Sequence, residues 1–388
     1  MVRILCLACV WGTISAMAQP PKTNYVIGKT TGPLTYLEYG LGEDRLGGAK
    51  MTYLDSNILV KIVDSTKDRY KIQLSKNHFA YLPKSNFKLD STVFVQPYYL
   101  TNSWKVSGDD KYDYVTVILD ERLPYRSIQQ VNPSRVMIDI FGVTSNTNWI
   151  TQLTTVKEIK NVLYEQIEDD VFRIFIELKH DQHWGYGVFY NKNKLVIRIK
   201  RQPKYLVLQK MKIAVDAGHG GDNTGATGVT SKIEEKKYTL MIAKELQKAL
   251  KKEKVTVFMT REKDTSLSMI ERTQMLRDFD PNFLISVHLN SSGYDTIKGV
   301  STYYRYIGFR PLSQFILNRM TELKLKEFGN VGSFNFSLSG PTEYPNCLVE
   351  IAFLSNKEDE KRILDPKFHK AVATKIVVGI KDWLRSLK

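Results

Sequence analysis

The hydrophobic pattern changes character at Arg201-Gln202-Pro203, and that change limits the chain to two kinds of architecture joined in one molecule. Before it, apolar and polar residues alternate in short runs, as half-buried antiparallel strands require. Examples are Tyr114-Val115-Thr116-Val117-Ile118-Leu119 and Phe172-Arg173-Ile174-Phe175-Ile176-Glu177-Leu178. After it, the apolar run Ile213-Ala214-Val215 precedes helical spacing at Leu240, Ile242, Ala243, Leu246, Ala249 and Leu250. Further strands at Val255 to Met259, Phe283 to Val287, Val300 to Tyr304 and Leu348 to Ala352 alternate with helices near Ile270 to Arg277, Leu312 to Leu325 and Phe368 to Leu387. The fold class expected is therefore multidomain: two small all-β domains, then an α/β domain with a mostly parallel central sheet flanked by helices. A chain of 388 residues accommodates such a set.

The β half divides again. Residues 24–91 carry Ile58-Leu59-Val60-Lys61-Ile62-Val63, Tyr70-Lys71-Ile72-Gln73-Leu74 and Phe79-Ala80-Tyr81-Leu82, strands short enough for a small barrel. Residues 96–201 carry the longer strands, among them Arg135-Val136-Met137-Ile138-Asp139-Ile140 and Leu195-Val196-Ile197-Arg198-Ile199. His78, His180 and His183 fall in polar loops or strand ends and read as surface residues.

Residues 1–18 read as a signal peptide: Arg3, an apolar stretch from Ile4 to Ala16, then Ala16-Met17-Ala18 before Gln19. The apolar run is shorter than the roughly 20 residues that span a bilayer, so the mature chain is expected to have no transmembrane segment. An exported protein is implied, in the periplasm or cell envelope, or extracellular in a single-membrane bacterium. Cys6 and Cys9 leave with the leader, and Cys347, inside Cys347-Leu348-Val349, reads as a small buried residue. The formal net charge of +15 attracts polyanions; outside the cytoplasm these are acidic glycans and lipid head groups, so nucleic acid is not an expected partner.

Chemistry concentrates after residue 210. Asp216-Ala217-Gly218-His219-Gly220-Gly221 places a histidine directly after a buried strand, in a glycine run that lets backbone crowd a bound ion. His288 ends a second strand, Leu284-Ile285-Ser286-Val287-His288-Leu289-Asn290. Two strand-end histidines plus one glutamate would make a three-ligand zinc site with a fourth position left for water, and Glu235, just ahead of the amphipathic helix, could supply the carboxylate. Glu350 sits in the otherwise apolar Cys347-Leu348-Val349-Glu350-Ile351-Ala352, where a carboxylate needs a polar or metal-adjacent role.

These motifs, in this order, resemble the zinc-dependent N-acetylmuramoyl-L-alanine amidases. The resemblance runs from Ile213 to Leu384 and includes Glu235-Lys236, Val349-Glu350, Phe353-Leu354-Ser355-Asn356, Thr260-Arg261, Asp264 and Glu271-Arg272. It implies one Zn2+ per chain on His219, Glu235 and His288, with Glu350 as catalytic general base. It also implies hydrolysis of the amide between the muramoyl lactyl group and L-alanine of peptidoglycan by zinc-activated water. Asn290 is a candidate substrate-binding residue. The loop after His219 is one residue longer than the common pattern, so Glu234 competes with Glu235, and Ser339-Gly340-Pro341 replaces an arginine found in many relatives. Residues 24–91 resemble a bacterial SH3-like domain through Asp64, Arg69-Tyr70-Lys71-Ile72 and Ala80-Tyr81-Leu82-Pro83. Residues 96–201 resemble an AMIN domain through Arg135 to Gly142. Both would contact the wall or cell-wall and divisome proteins, leaving residues 210–388 to carry catalysis. The alternatives are another zinc peptidase of the envelope and a non-catalytic wall-binding protein on an amidase scaffold.

Overall fold

The computed structural model describes residues 25–42, 47–92 and 95–388, so the leader read in residues 1–18 lies outside the described residues. Residues 26–89 form one seven-stranded antiparallel sheet, closed at its end by Val26–Thr30 between Leu59–Ser65 and Phe87–Leu89. The next region pairs a four-stranded sheet, ordered Tyr125–Val131, Ser134–Phe141, Val171–Leu178 and Ile159–Glu168, with a six-stranded one built on Tyr99–Gly108 and Tyr112–Leu119. Inward residues of both regions, from Leu37 and Ile72 to Ile174 and Ile197, share a single buried cluster. Neither region closes its core alone.

The C-terminal part holds five α-helices, α1 (Glu235–Lys252), α2 (Met269–Phe279), α3 (Arg310–Thr321), α4 (Lys357–Ile363) and α5 (Pro366–Ser386), against one six-stranded sheet. Its order is Thr256–Met259, Lys212–Ala217, Phe283–Asn290, Asn346–Phe353, Val300–Tyr303, Glu327–Val331. Here the expected fold class is corrected. Strands dominate the molecule, and the sheet is mixed: Val300–Tyr303 runs antiparallel to Asn346–Phe353, so strand direction reverses inside the sheet, and the edge strand Glu327–Val331 had no sequence signal strong enough to register. A run buried on both faces reads the same in either direction, so apolar periodicity cannot fix orientation. Glu327–Val331, with Gly329 at its centre and mostly half-exposed side chains, carries no apolar face to detect.

Helix ends follow local chemistry. Ser268 and Glu271 form a reciprocal capping box at α2, Asn356 caps α4 through Glu358 and Asp359, and Asp365 precedes Pro366 at the start of α5. α5 packs on α1 and α3, burying Val372, Ile376, Ile380 and Trp383. Among the described residues no helix is long and apolar enough to cross a membrane.

The β regions and the C-terminal part are knitted together. Trp184 belongs to the C-terminal core, its ring 5.2 Å from that of Trp383, whose Nε1 donates to Gln182 Oε1 at 3.0 Å. Lys200 Nζ donates to Asp280 Oδ1 at 2.6 Å, and Arg201 reaches back to Asp113. His183 is correspondingly not a surface residue: it is 1% exposed, contacts Gln130 O and Ser134 Oγ through Nε2, and lies against Gly308. His78 and His180 stay partly exposed, paired with Glu168 and Glu158.

Burial holds His183 well below the ordinary imidazole value, down to about 4. The unfolded chain therefore binds the proton first as pH falls. Stability is fully present above about 6.5 and declines through the window from 6.5 to about 4, by at most roughly 3 kcal/mol. His183→Gln should flatten this acid limb when unfolding midpoints are compared between pH 7 and 4; identical limbs in both proteins would exclude His183 as the cause.

Candidate metal centre and active site

Three chain segments converge at the C-terminal end of the central strands. His219 follows Lys212–Ala217, His288 lies in Phe283–Asn290, and Glu235 is the first residue of α1, where a carboxylate also suits the helix dipole. Glu235 Oε1 lies 3.1 Å from His219 Nε2 and 3.1 Å from His288 Nδ1. Leu289 N donates to the same oxygen at 3.0 Å and Ala226 N to Oε2 at 2.8 Å, fixing the carboxylate in place. Close approach depends on two glycines. A Cβ at Gly218 would stand 2.4 Å from the His288 ring, and one at Gly225 would stand 2.5 Å from Glu235 Oε2. Glu234 points outward toward Lys236 instead, so it is Glu235 that the fold brings beside the histidines.

His219 adopts a left-handed backbone, φ +62°, which a non-glycine residue holds only under constraint. The constraint is a pair of buried arginines. Arg261 donates to Ala217 O at 2.9 Å and Gly218 O at 2.8 Å, while Arg272 donates to Ala217 O at 2.9 Å and His219 O at 2.5 Å. Arg272 is balanced by Asp216, which also accepts from Thr260 Oγ1 and Ser286 Oγ at 2.7 Å each. Burial would raise the Asp216 carboxyl, but the Arg272 charge and these donors hold it below its usual range. Asn223 Oδ1 takes Gly225 N–H at 3.2 Å and stands 2.9 Å from His219 Nδ1, so once an ion replaces the proton that Nε2 shares with Glu235, Nδ1 donates to Asn223 and the Nε2 lone pair faces the ion.

The donor atoms of His219, Glu235 and His288 all lie within 4.8 Å of one another. Two neutral nitrogens and one carboxylate oxygen suit a divalent transition ion such as zinc. The electrostatics agree. Burial alone would raise Glu235, yet hydrogen bonds from His219 and His288 and their charge hold its carboxyl far below the usual range. Burial would likewise lower His288, but Glu235, helped by Glu350 and Asp216, pushes it up to about 9. Three carboxylates thus draw a positive charge to this point, and the residues present fit a cation.

Glu350 occupies the next strand, in register with His288 and only 6% exposed. With His219, Glu235, His288 and Asn290 it lines an open cavity of about 420 Å³. Asn290 is engaged on both sides, donating to Tyr303 Oη at 3.3 Å and accepting from Ser291 N, while still facing that cavity. Sequence reading missed Asn223 and Phe336. Phe336 closes the cavity opposite, its ring 6.1 Å from that of His288 and nearly parallel to it. Asn223 had a detectable signal, an amide four residues after a ligand candidate in a glycine loop; Phe336, in a loop without periodicity, had none.

Donors that fit a cation and the carboxylate of Glu350 thus share one open cavity. Residues 213–382 match the family described as N-acetylmuramoyl-L-alanine amidase, and residues 104–199 match the AMIN domain. A probable cell wall amidase LytH of Staphylococcus saprophyticus is 30% identical over 204 residues, which is 52% of this chain and 67% of that protein. The protein of the same name from Staphylococcus aureus is 33% identical over 175 residues, 45% of this chain and 58% of that protein. The present chain thus spans about three fifths to two thirds of these relatives. The solved catalytic domain of CwlV, an N-acetylmuramoyl-L-alanine amidase from Bacillus (Paenibacillus) polymyxa var. colistinus, is 30% identical, covering 46% of this chain and 99% of that domain with a TM-score of 0.44. The chain belongs to the N-acetylmuramoyl-L-alanine amidase family of cell-wall hydrolases, and it carries an AMIN domain ahead of the amidase domain.

Proposed function

We propose that the protein, exported through the leader in residues 1–18, hydrolyses the amide between the muramoyl lactyl group and L-alanine of peptidoglycan at the cell envelope. His219, Glu235 and His288 are its zinc ligands. The observation that carries this reading is the convergence of those three donors, within 4.8 Å of one another, in the cavity that Glu350 also lines.

An amide resists hydrolysis because water is a weak nucleophile and the amine a poor leaving group. Bound zinc would supply Lewis acidity, lowering the pKa of water toward about 7 and polarising the carbonyl. The chain's residues do the rest. Glu350 accepts a proton from the attacking water at its carboxylate and returns it to the departing alanine nitrogen. Asn223 holds His219 in the tautomer that keeps Nε2 available, and Arg261 and Arg272 hold the His219 backbone so that the ring needs no rearrangement. Asn290, already fixed by Tyr303, offers the peptide a preset polar group. Residues 24–91 act as an SH3-like unit and, with the AMIN domain, contact the wall or its proteins, while residues 210–388 bear the chemistry.

End-group analysis of digested sacculi tests the reaction. New amino-terminal L-alanine is expected; new termini within the stem peptide would instead mark an envelope peptidase.

A further inference from the structure

Phe336, the aromatic wall facing His288, belongs to a segment whose anchors come from the far end of the chain. Asn335 Nδ2 donates to Gly48 O at 2.8 Å, and Asn335 Oδ1 accepts from Lys50 N at 3.3 Å and from Arg305 Nη1 at 3.0 Å. Arg305 also donates to Lys50 O, so the edge strand Lys50–Leu54 and the cleft segment share one polar knot. Tyr53 reinforces it. Its ring lies directly on Gly340, where a Cβ would come within 2.6 Å, and its hydroxyl points to Ser337 O at 3.4 Å. On the cleft side Phe336 packs in a cluster with Phe334, 4.3 Å between centroids, and Tyr303, 6.2 Å. The clamp therefore runs from a β region some 285 residues away straight to the surface of the cavity.

We propose that Asn335 is a positioning residue that ties the 25–91 β region to the cleft, and that Phe336, held by it, is the wall that an apolar face of the substrate packs against. The N-terminal region is then part of the substrate-binding machinery as well as any wall anchor. The physical reason is that a half-exposed aromatic side chain in a loop without regular structure keeps one orientation only if its backbone is bound at both flanks. Here one flank is bound by Asn335 and the other by Ser337 and Gly340, and both bonds lead to residues 48–53.

This inference rests on the amidase reading and is tested in the zinc-loaded full chain with a soluble muropeptide. Asn335→Ala should raise KM roughly tenfold, the effect of losing one or two hydrogen bonds, with kcat and zinc content within about twofold of wild type. Phe336→Ala should reproduce the KM rise and Phe336→Tyr should not. Asn335→Asp, which keeps the acceptor facing Lys50 N and Arg305, should recover most of the affinity. Hydrogen exchange reads the clamp without turnover: amides of residues 333–340 should exchange faster in Asn335→Ala while the strand Lys212–Ala217 is unchanged. An unmoved KM in an active enzyme overturns the inference alone, as does a parallel fall of kcat, zinc and global protection. A wild type that turns over no muropeptide defeats the amidase reading, and unchanged exchange at 333–340 then overturns the clamp too.

Discussion

Glu350→Gln is expected to bind zinc as the wild type does and to lose roughly 100-fold or more in turnover, within the 10² to 10⁴ typical of a general acid-base group. Glutamine is nearly isosteric, so the packing of the strand Asn346–Phe353, buried along its whole length, is preserved. What it removes is the ability to take and return a proton. The three donors of the cluster lie on other segments, where Glu235 keeps its contacts with both histidines and its bonds from Leu289 N and Ala226 N. If Glu350 were a metal ligand or a buried structural carboxylate, zinc content or melting temperature would fall with activity. Measuring all three on one preparation separates these cases, and near wild-type turnover would remove Glu350 from the mechanism.

The second large effect concerns the ligands. His219→Ala or His288→Ala should abolish zinc retention and with it activity, because two remaining protein donors do not make the three-ligand site that catalytic zinc uses. Asn223→Ala serves as the graded comparison: it leaves all three donors but frees the His219 ring, and should weaken zinc by about 10- to 100-fold without eliminating it. Metal analysis after dialysis reads both. Full zinc occupancy in the two histidine variants would show that the ion binds elsewhere.

The candidate site was legible because its donors sit in short, chemically distinctive contexts. His219 stands in a glycine run, Glu235 at a helix start and Glu350 alone in an apolar strand, and each context survives without knowledge of the fold. Choosing Glu235 over Glu234 needed helix phase, which Lys236 and Leu240 supply: the first residue of α1 turns inward and its predecessor outward. Strand direction was not legible, since Val300–Tyr303 is buried on both faces whichever way it runs. Long-range polar contacts were equally hidden. His183 looked like a loop residue because its burial comes from Gly308, far along the chain, and Asn335 gave no sequence signal because its partners are Gly48 and Lys50.

The proposed cut at the lactyl-alanine amide depends on zinc. Mass spectrometry of soluble muropeptides after incubation with chelator-treated protein, and again after one equivalent of zinc is restored, tests it most directly. The expected result is intact muropeptide with the chelated protein and, once zinc is restored, free stem peptide beginning at L-alanine together with the unsubstituted lactyl sugar. Cleavage at a bond inside the stem peptide, or equal cleavage with and without zinc, would contradict it.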